Sequence, residues 1–108
     1  MKVSDLGKIT GLTLVQSDYD DLPIVGGYTS DLLSDVMANA GDAGVLITIQ
    51  AHKNTIAVCN LLDISALVIC NGRETDEEFL TIAKAERKAV YSTELNQFQV
   101  SVLIGNSL

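Results

Sequence analysis

The chain has 108 residues, 47% of them apolar but only 5% aromatic, so any core must be built from Val, Ile, Leu and Ala. Its 14 acidic residues outnumber 7 Lys and Arg for a net charge of −7, and without a basic cluster to neutralise phosphates, nucleic acid is excluded as a partner. No apolar run approaches the roughly 18 residues of a membrane span, and Met1-Lys2-Val3-Ser4-Asp5 lacks a secretory signal, which predicts one cytoplasmic domain over residues 1–108 with no membrane contact.

Along the chain, Ser4 to Ile9 predicts a short opening helix capped by Ser4, and Leu12-Thr13-Leu14-Val15 predicts a first strand. Ser17-Asp18-Tyr19-Asp20-Asp21 is a polar turn ahead of the single proline, Pro23. Ile24 to Tyr28 reads as a second strand ending in a Gly26-Gly27 turn. Such a turn before a helix can present backbone N–H groups to an anion. In Ser30 to Ala40 the residues Leu32, Leu33, Val36, Met37 and Ala40 share one helical face, with Ser30 or Thr29 as cap and Asp31 complementing the helix dipole. Gly41-Asp42-Ala43-Gly44 stops that helix, Val45 to Ile49 is a third strand, and Asn54 is expected to cap a helix from Thr55 to Leu62.

Ala66 to Cys70 is apolar at every position, which suits a central strand covered on both faces. Asn71-Gly72 turns the chain, and Thr75 with Glu78 has capping-box spacing for a helix reaching about Arg87. Ala89-Val90-Tyr91 is a short strand, and Ser92 or Thr93 is expected to cap a final helix through about Ile104, ended by Gly105. Strands alternating with helices imply parallel pairing through right-handed crossovers. The predicted fold is α/β: a three-layer α/β/α domain with a mostly parallel sheet of about five strands, the first strand antiparallel at an edge.

Ligands of open α/β sheets sit beyond the carboxyl ends of the strands. That rule gathers four loops here, Gly26 to Asp31, Gln50 to Asn54, Asn71 to Glu74 and Ser92 to Glu94. The candidate ligand-binding residues are Gly26, Gly27, Thr29, Ser30, Gln50, His52, Asn71 and Arg73. Ordinary turn and cap chemistry is the first reading of the same set, and a ligand site the second. His52, the sole histidine, follows a strand, where it serves either as a hydrogen bonder or as a general base; spacing assigns it no nucleophile and no orienting acid. Cys59 and Cys70 lie in apolar surroundings and read as buried reduced thiols. One His and two dispersed Cys make no zinc set, and neither a dinucleotide fingerprint nor a P-loop occurs. The acids Asp18 to Asp21 and Glu74 to Glu78 read as solvated surface and as a capped helix start. No metal, cofactor or catalytic residue is assigned.

The stretch Asp21-Leu22-Pro23-Ile24-Val25-Gly26-Gly27 resembles the signature of the DRTGG domain, a small regulatory module. Its Asp and both glycines are present, while Leu22 and Val25 stand where the family has Arg and Thr. The similarity continues through Gly27 to Met37, Ile47 to His52 and Ala66 to Arg73. The family is similar to the N-terminal domain of HPr kinases, whose nucleotide site lies in another domain, so the resemblance implies an α/β fold and no kinase activity. It also implies a non-catalytic regulatory or interaction module, homodimeric, sensing a small anionic or nucleotide-like metabolite at the Gly26-Gly27 loop. The expected partners are a second copy and a kinase, CBS-type or other regulatory or metabolic protein in trans. Leu32, Leu33, Val36 and Met37, and the last helix with Phe98, Val102 and Leu103, read first as core stripes and alternatively as part of a partner interface, and the sequence does not fix the dimer face. The alternative is a small enzyme acting on a phosphorylated metabolite through His52 or Arg73.

Overall fold

The computed structural model describes residues 1–108. A 3-10 helix, Val3–Lys8, precedes β1 (Thr13–Gln16), β2 (Gly26–Thr29), α1 (Leu33–Asn39), β3 (Gly44–Thr48) and α2 (Lys53–Leu61). Then come β4 (Ala66–Ile69), α3 (Glu77–Ala85), β5 (Ala89–Ser92) and α4 (Gln97–Ser107). The five strands form one sheet in the order β1-β5-β4-β3-β2. β2 to β5 are parallel and β1 joins β5 antiparallel at the edge, the α/β/α arrangement that the alternation of strands and helices predicts. No helix is long and apolar enough to cross a membrane.

Successive side chains of a strand point to opposite faces, so each central strand feeds two cores. Leu46, Leu67, Ile69 and Val90 meet Val36 of α1, Ile56 and Cys59 of α2 and Phe79 and Ala83 of α3. Val45, Ile47, Ala66, Val68, Ala89 and Tyr91 meet Val3 and Leu6 of the 3-10 helix and Val100 and Ile104 of α4. The three crossover helices therefore share one face, as right-handed crossovers between strands laid down in spatial order require. α4 returns over the other face and packs on β2 and β3.

Several local expectations are corrected. Gly26 and Gly27 lie inside β2, paired with Gly44 and Val45, and do not form a turn. Gly44 is the residue there with left-handed backbone, φ +91°. Ser4 caps nothing: its N–H and Oγ both donate to Asp21 at 2.8 Å. α1 has no side-chain cap; Ser30 Oγ instead accepts from Leu32 N–H at 3.2 Å before the helix begins. Of its expected apolar face only Val36 and Ala40 are buried, whereas Leu32 is 64% and Met37 47% exposed.

Elsewhere the true cap stands one or more residues away from the predicted one. His52, not Asn54, caps α2. Asp76, not Thr75, caps α3 by accepting from Phe79 N–H at 2.8 Å. Asn96 and Gln99 form a reciprocal capping box on α4, because Ser92 stays in β5 and Thr93 turns inward. Gly105 lies within α4 and does not end it.

Asp21 ties the segment before β2 to the 3-10 helix, and the two Ser4 hydrogen bonds, backbone first, hold its carboxyl below the usual range. A carboxylate with a depressed folded pKa contributes stability above its unfolded value, about 4, and loses it as pH falls through the folded value. Asp21→Asn is therefore expected to lower the neutral plateau of a thermal melting profile and to flatten its acid limb, with variant and wild type converging at low pH. An unchanged acid limb would remove Asp21 from the account.

Candidate functional site

Parallel β2 to β5 end along one border of the sheet, where the loops leading to α1, α2, α3 and α4 emerge. Neighbouring strands lie about 4.8 Å apart, so the end of β2 and the end of β5 are separated by about 14 Å. The strand order β2 to β5 does not reverse, so the border has no switch point. The border is a row, not a cup.

Asp31 organises one end of that row. Its Oδ1 accepts from Ile49 N–H at 3.2 Å and from Thr48 Oγ at 3.4 Å, and its Oδ2 accepts from Gln97 Nε2 at 3.2 Å. One carboxylate thus clasps the β2, β3 and α4 segments. The helix-dipole role expected for Asp31 does not anticipate this clasp; an acid directly after a strand end is its one sequence mark for it. Beside it, Asn39 and Tyr28 donate to Asp35 at 2.9 Å each. These bonds, Asn39 first, hold the Asp35 carboxyl low, and the Asp35 partner raises the Tyr28 phenol.

The predicted residues are distributed along the row. Gly26 and Gly27 lie at the start of β2, away from its carboxyl end. Thr29 Oγ1 meets Ser101 Oγ of α4 at 2.7 Å. Gln50 N–H donates to Thr48 Oγ1, and Gln50 C=O accepts from Thr55 Oγ1 at 2.8 Å, so its backbone is tied down while the residue itself is exposed. Asn71 and Gly72 both take positive φ, 63° and 62°. Their N–H groups donate to Leu95 and Thr93 carbonyls at 2.9 and 2.8 Å, which closes the β4 loop onto the β5 loop. Arg73 is exposed and has no acid within ion-pair distance.

His52 sits apart from these, in a cleft of about 230 Å³ between the starts of α2 and α3. Its walls are Ala51, His52, Lys53, Asp76, Glu78 and Phe79. Lys53 Nζ and Glu78 Oε1, both exposed, stand 3.9 Å apart across it. The imidazole Nδ1 accepts from Asn54 N–H at 3.1 Å, the bond of an N-cap. The structure thus joins His52 to Lys53, Asp76 and Glu78, none of which the sequence reading proposed for a site, and leaves Thr29, Ser30, Gln50, Asn71 and Arg73 outside the cleft.

The cysteines are free and buried. Burial pushes the Cys59 thiol up to about 12 and that of Cys70 up to about 11, so neither is a thiolate at neutral pH. The acidic turn is dispersed among separate partners: Asp18 pairs with Lys84 at 3.4 Å, Asp20 with Arg87 at 2.9 Å, and Asp21 with Ser4. These carboxylates face outward to different neighbours.

Over 98% of its length the chain superposes on a crystal structure of the CBS and DRTGG domains of the regulatory region of Clostridium perfringens pyrophosphatase, complexed with the activator diadenosine tetraphosphate, with a TM-score of 0.74. The fold is DRTGG-like. Identity over the superposition is 15%, so what this DRTGG-like chain shares with that protein is the fold, and it spans 46% of that chain's length. No family model matches the sequence, and no curated protein is significantly similar to it.

Proposed function

We propose that this chain is a non-catalytic regulatory module that works as a homodimer and reads an extended, nucleotide-like metabolite along the strand-end row. The observation that carries the reading is the near-complete superposition on a regulatory region crystallised with a dinucleoside polyphosphate activator. The length of the row supports it, since about 14 Å of exposed hydroxyls, amides and backbone suits an extended ligand better than a compact anion. Ser30, Gln50, Asn71 and Arg73 supply these groups. The glycines of β2 are left out of the site, because they sit at the other end of their strand.

The charge of the row narrows the ligand. Asp31, Glu74, Asp76, Glu78 and Glu94 stand there against Lys53 and Arg73, so a bare polyphosphate is repelled and its magnesium complex is favoured. A kinase, a CBS-type domain or another metabolic protein is the partner expected to receive the signal in trans.

Calorimetric titration of the purified chain with diadenosine tetraphosphate and with ATP, each with and without magnesium, tests this reading. Saturable binding in magnesium is expected, weakened about tenfold by Arg73→Ala and unaffected by His52→Ala. Absence of binding to both nucleotides in the millimolar range would overturn the sensing role. Turnover of phosphorylated metabolites that disappears in His52→Ala, with the fold intact, would establish the small-enzyme alternative. The cap bond on Nδ1 disfavours that alternative.

A further inference from the structure

We infer that two copies of this chain join along the open edge of β2, antiparallel about a two-fold axis through Gly27, with their α4 helices side by side over one continuous ten-stranded sheet. The inference rests on the homodimeric part of the proposed function and assigns its face.

Gly26 N–H donates to Ala43 C=O and Ser30 N–H to Ile47 C=O, both on the β3 side. Backbone groups of a strand alternate in direction, so those of Gly27 and Thr29 point to the open side. Exposed edges are usually protected by charges, bulges or covering loops. The other edge, β1, has such protection: its register shifts between Leu14 and Gln16, and the Lys84–Asp18 and Arg87–Asp20 pairs flank it. The segment from Leu22 to Ser30 carries no charge, and Val25 is 81% exposed.

α4 extends this neutral edge above the sheet. It contains no charged residue, and while Val100 and Ile104 are buried, Phe98 is 76% and Val102 45% exposed. Phe98 is one turn from Ser101, whose Oγ meets Thr29 of β2, and Val102 is one turn on from Phe98, about 100° round the helix from Ser101. Gly105 continues the stripe with open space around it. On α1, Tyr28 of β2 bonds to Asp35, and Met37 lies about 200° round the helix from Asp35, facing away from this edge.

A second copy satisfies both surfaces at once. Pairing β2 with its equivalent sets the two edge strands about 4.8 Å apart. Because α4 packs over β2 and β3, the two α4 axes then fall about 10 Å apart, the spacing of packed helices. Each copy carries −7, so like copies approach most easily across an uncharged face. The acids that follow β2 are already engaged, Asp35 by Tyr28 and Asn39 and Asp31 by Ile49, Thr48 and Gln97.

Sedimentation equilibrium of the full chain tests the assignment, with Phe98→Glu, Val25→Lys and Leu61→Glu as variants. All three replaced side chains are at least 70% exposed, so folding, read by circular dichroism, is expected to be retained. Leu61 lines the groove between α2 and α3 on the far face. A wild-type dimer is expected, weakened at least about a hundredfold by Phe98→Glu and by Val25→Lys and untouched by Leu61→Glu. A dimer that survives both edge variants, or that only Leu61→Glu breaks, would overturn the face while leaving the homodimer standing. A wild-type monomer would overturn the face and the homodimer together and leave the edge to an unlike chain.

Discussion

Phe79→Ala is expected to destabilise the chain by about 3–5 kcal/mol and to lower its melting temperature by about 15–25 °C. Phe79 is 1% exposed and among the largest fully buried side chains. It packs in the core that α1, α2 and α3 form against Leu46, Leu67 and Val90. Its backbone is fixed as well, since its N–H is the one that Asp76 caps. Truncation therefore opens a cavity beneath a pinned helix start, where neighbours have little room to collapse. Phe79 also walls the cleft beside His52, so the variant should loosen the packing of Lys53 and Glu78 there. Urea titration gives the measurement, and Phe79→Leu, which refills most of the volume, should recover most of the loss. A cost below about 1 kcal/mol would mean that the core beneath α3 does not hold this helix in place.

Gly44→Ala should cost about 2–4 kcal/mol, from backbone strain and crowding together. Gly44 has φ +91°, outside the range that side chains readily adopt. An added Cβ would stand 3.2 Å from Ile24 Cγ2, 3.3 Å from Ile24 Cα and 3.5 Å from Gly26 C=O. That backbone cannot easily retreat, because Ile24 N–H is held by Met1 C=O at 2.7 Å and Gly26 N–H by Ala43 C=O at 3.1 Å. Gly41→Ala is the control. Gly41 has φ +57° and nothing within 4 Å, so it should lose only about 1 kcal/mol. Equal losses for the two variants in chemical denaturation would show that crowding at the entry to β2 contributes nothing. Because Gly44 pairs with Gly26, its substitution also displaces the strand on which the dimer edge depends.

Much of the architecture is legible from residue pattern. The unbroken apolar run Ala66 to Cys70 marks a strand covered on both faces, and Leu67 and Val68 do go to opposite cores. The helices are found where their periodicity places them, but their starts are displaced. A cap is chosen by where the chain enters the helix. At α3 the buried position of Phe79 makes Asp76, and not Thr75, the residue three places before it. At α2 the strand exit carries His52 into the cap position that Asn54 was expected to fill. The glycine pair misleads for a similar reason: two glycines before hydroxyl residues look like a turn, yet pairing with β3 keeps them extended. Asp31 shows the opposite case, a residue whose role depends on Ile49 and Gln97, 18 and 66 positions away.

By itself the sequence determined an acidic aliphatic α/β domain with parallel strands and covered faces, since composition, alternation and helical period are local properties. Only the tertiary structure decided that β2 is the open edge, that three helices share one face, and that α4 is left with an apolar flank beside Thr29. Strand order and helix placement come from long-range pairing and crossover handedness, and which side of an all-round apolar helix meets solvent is set by the neighbour it packs against.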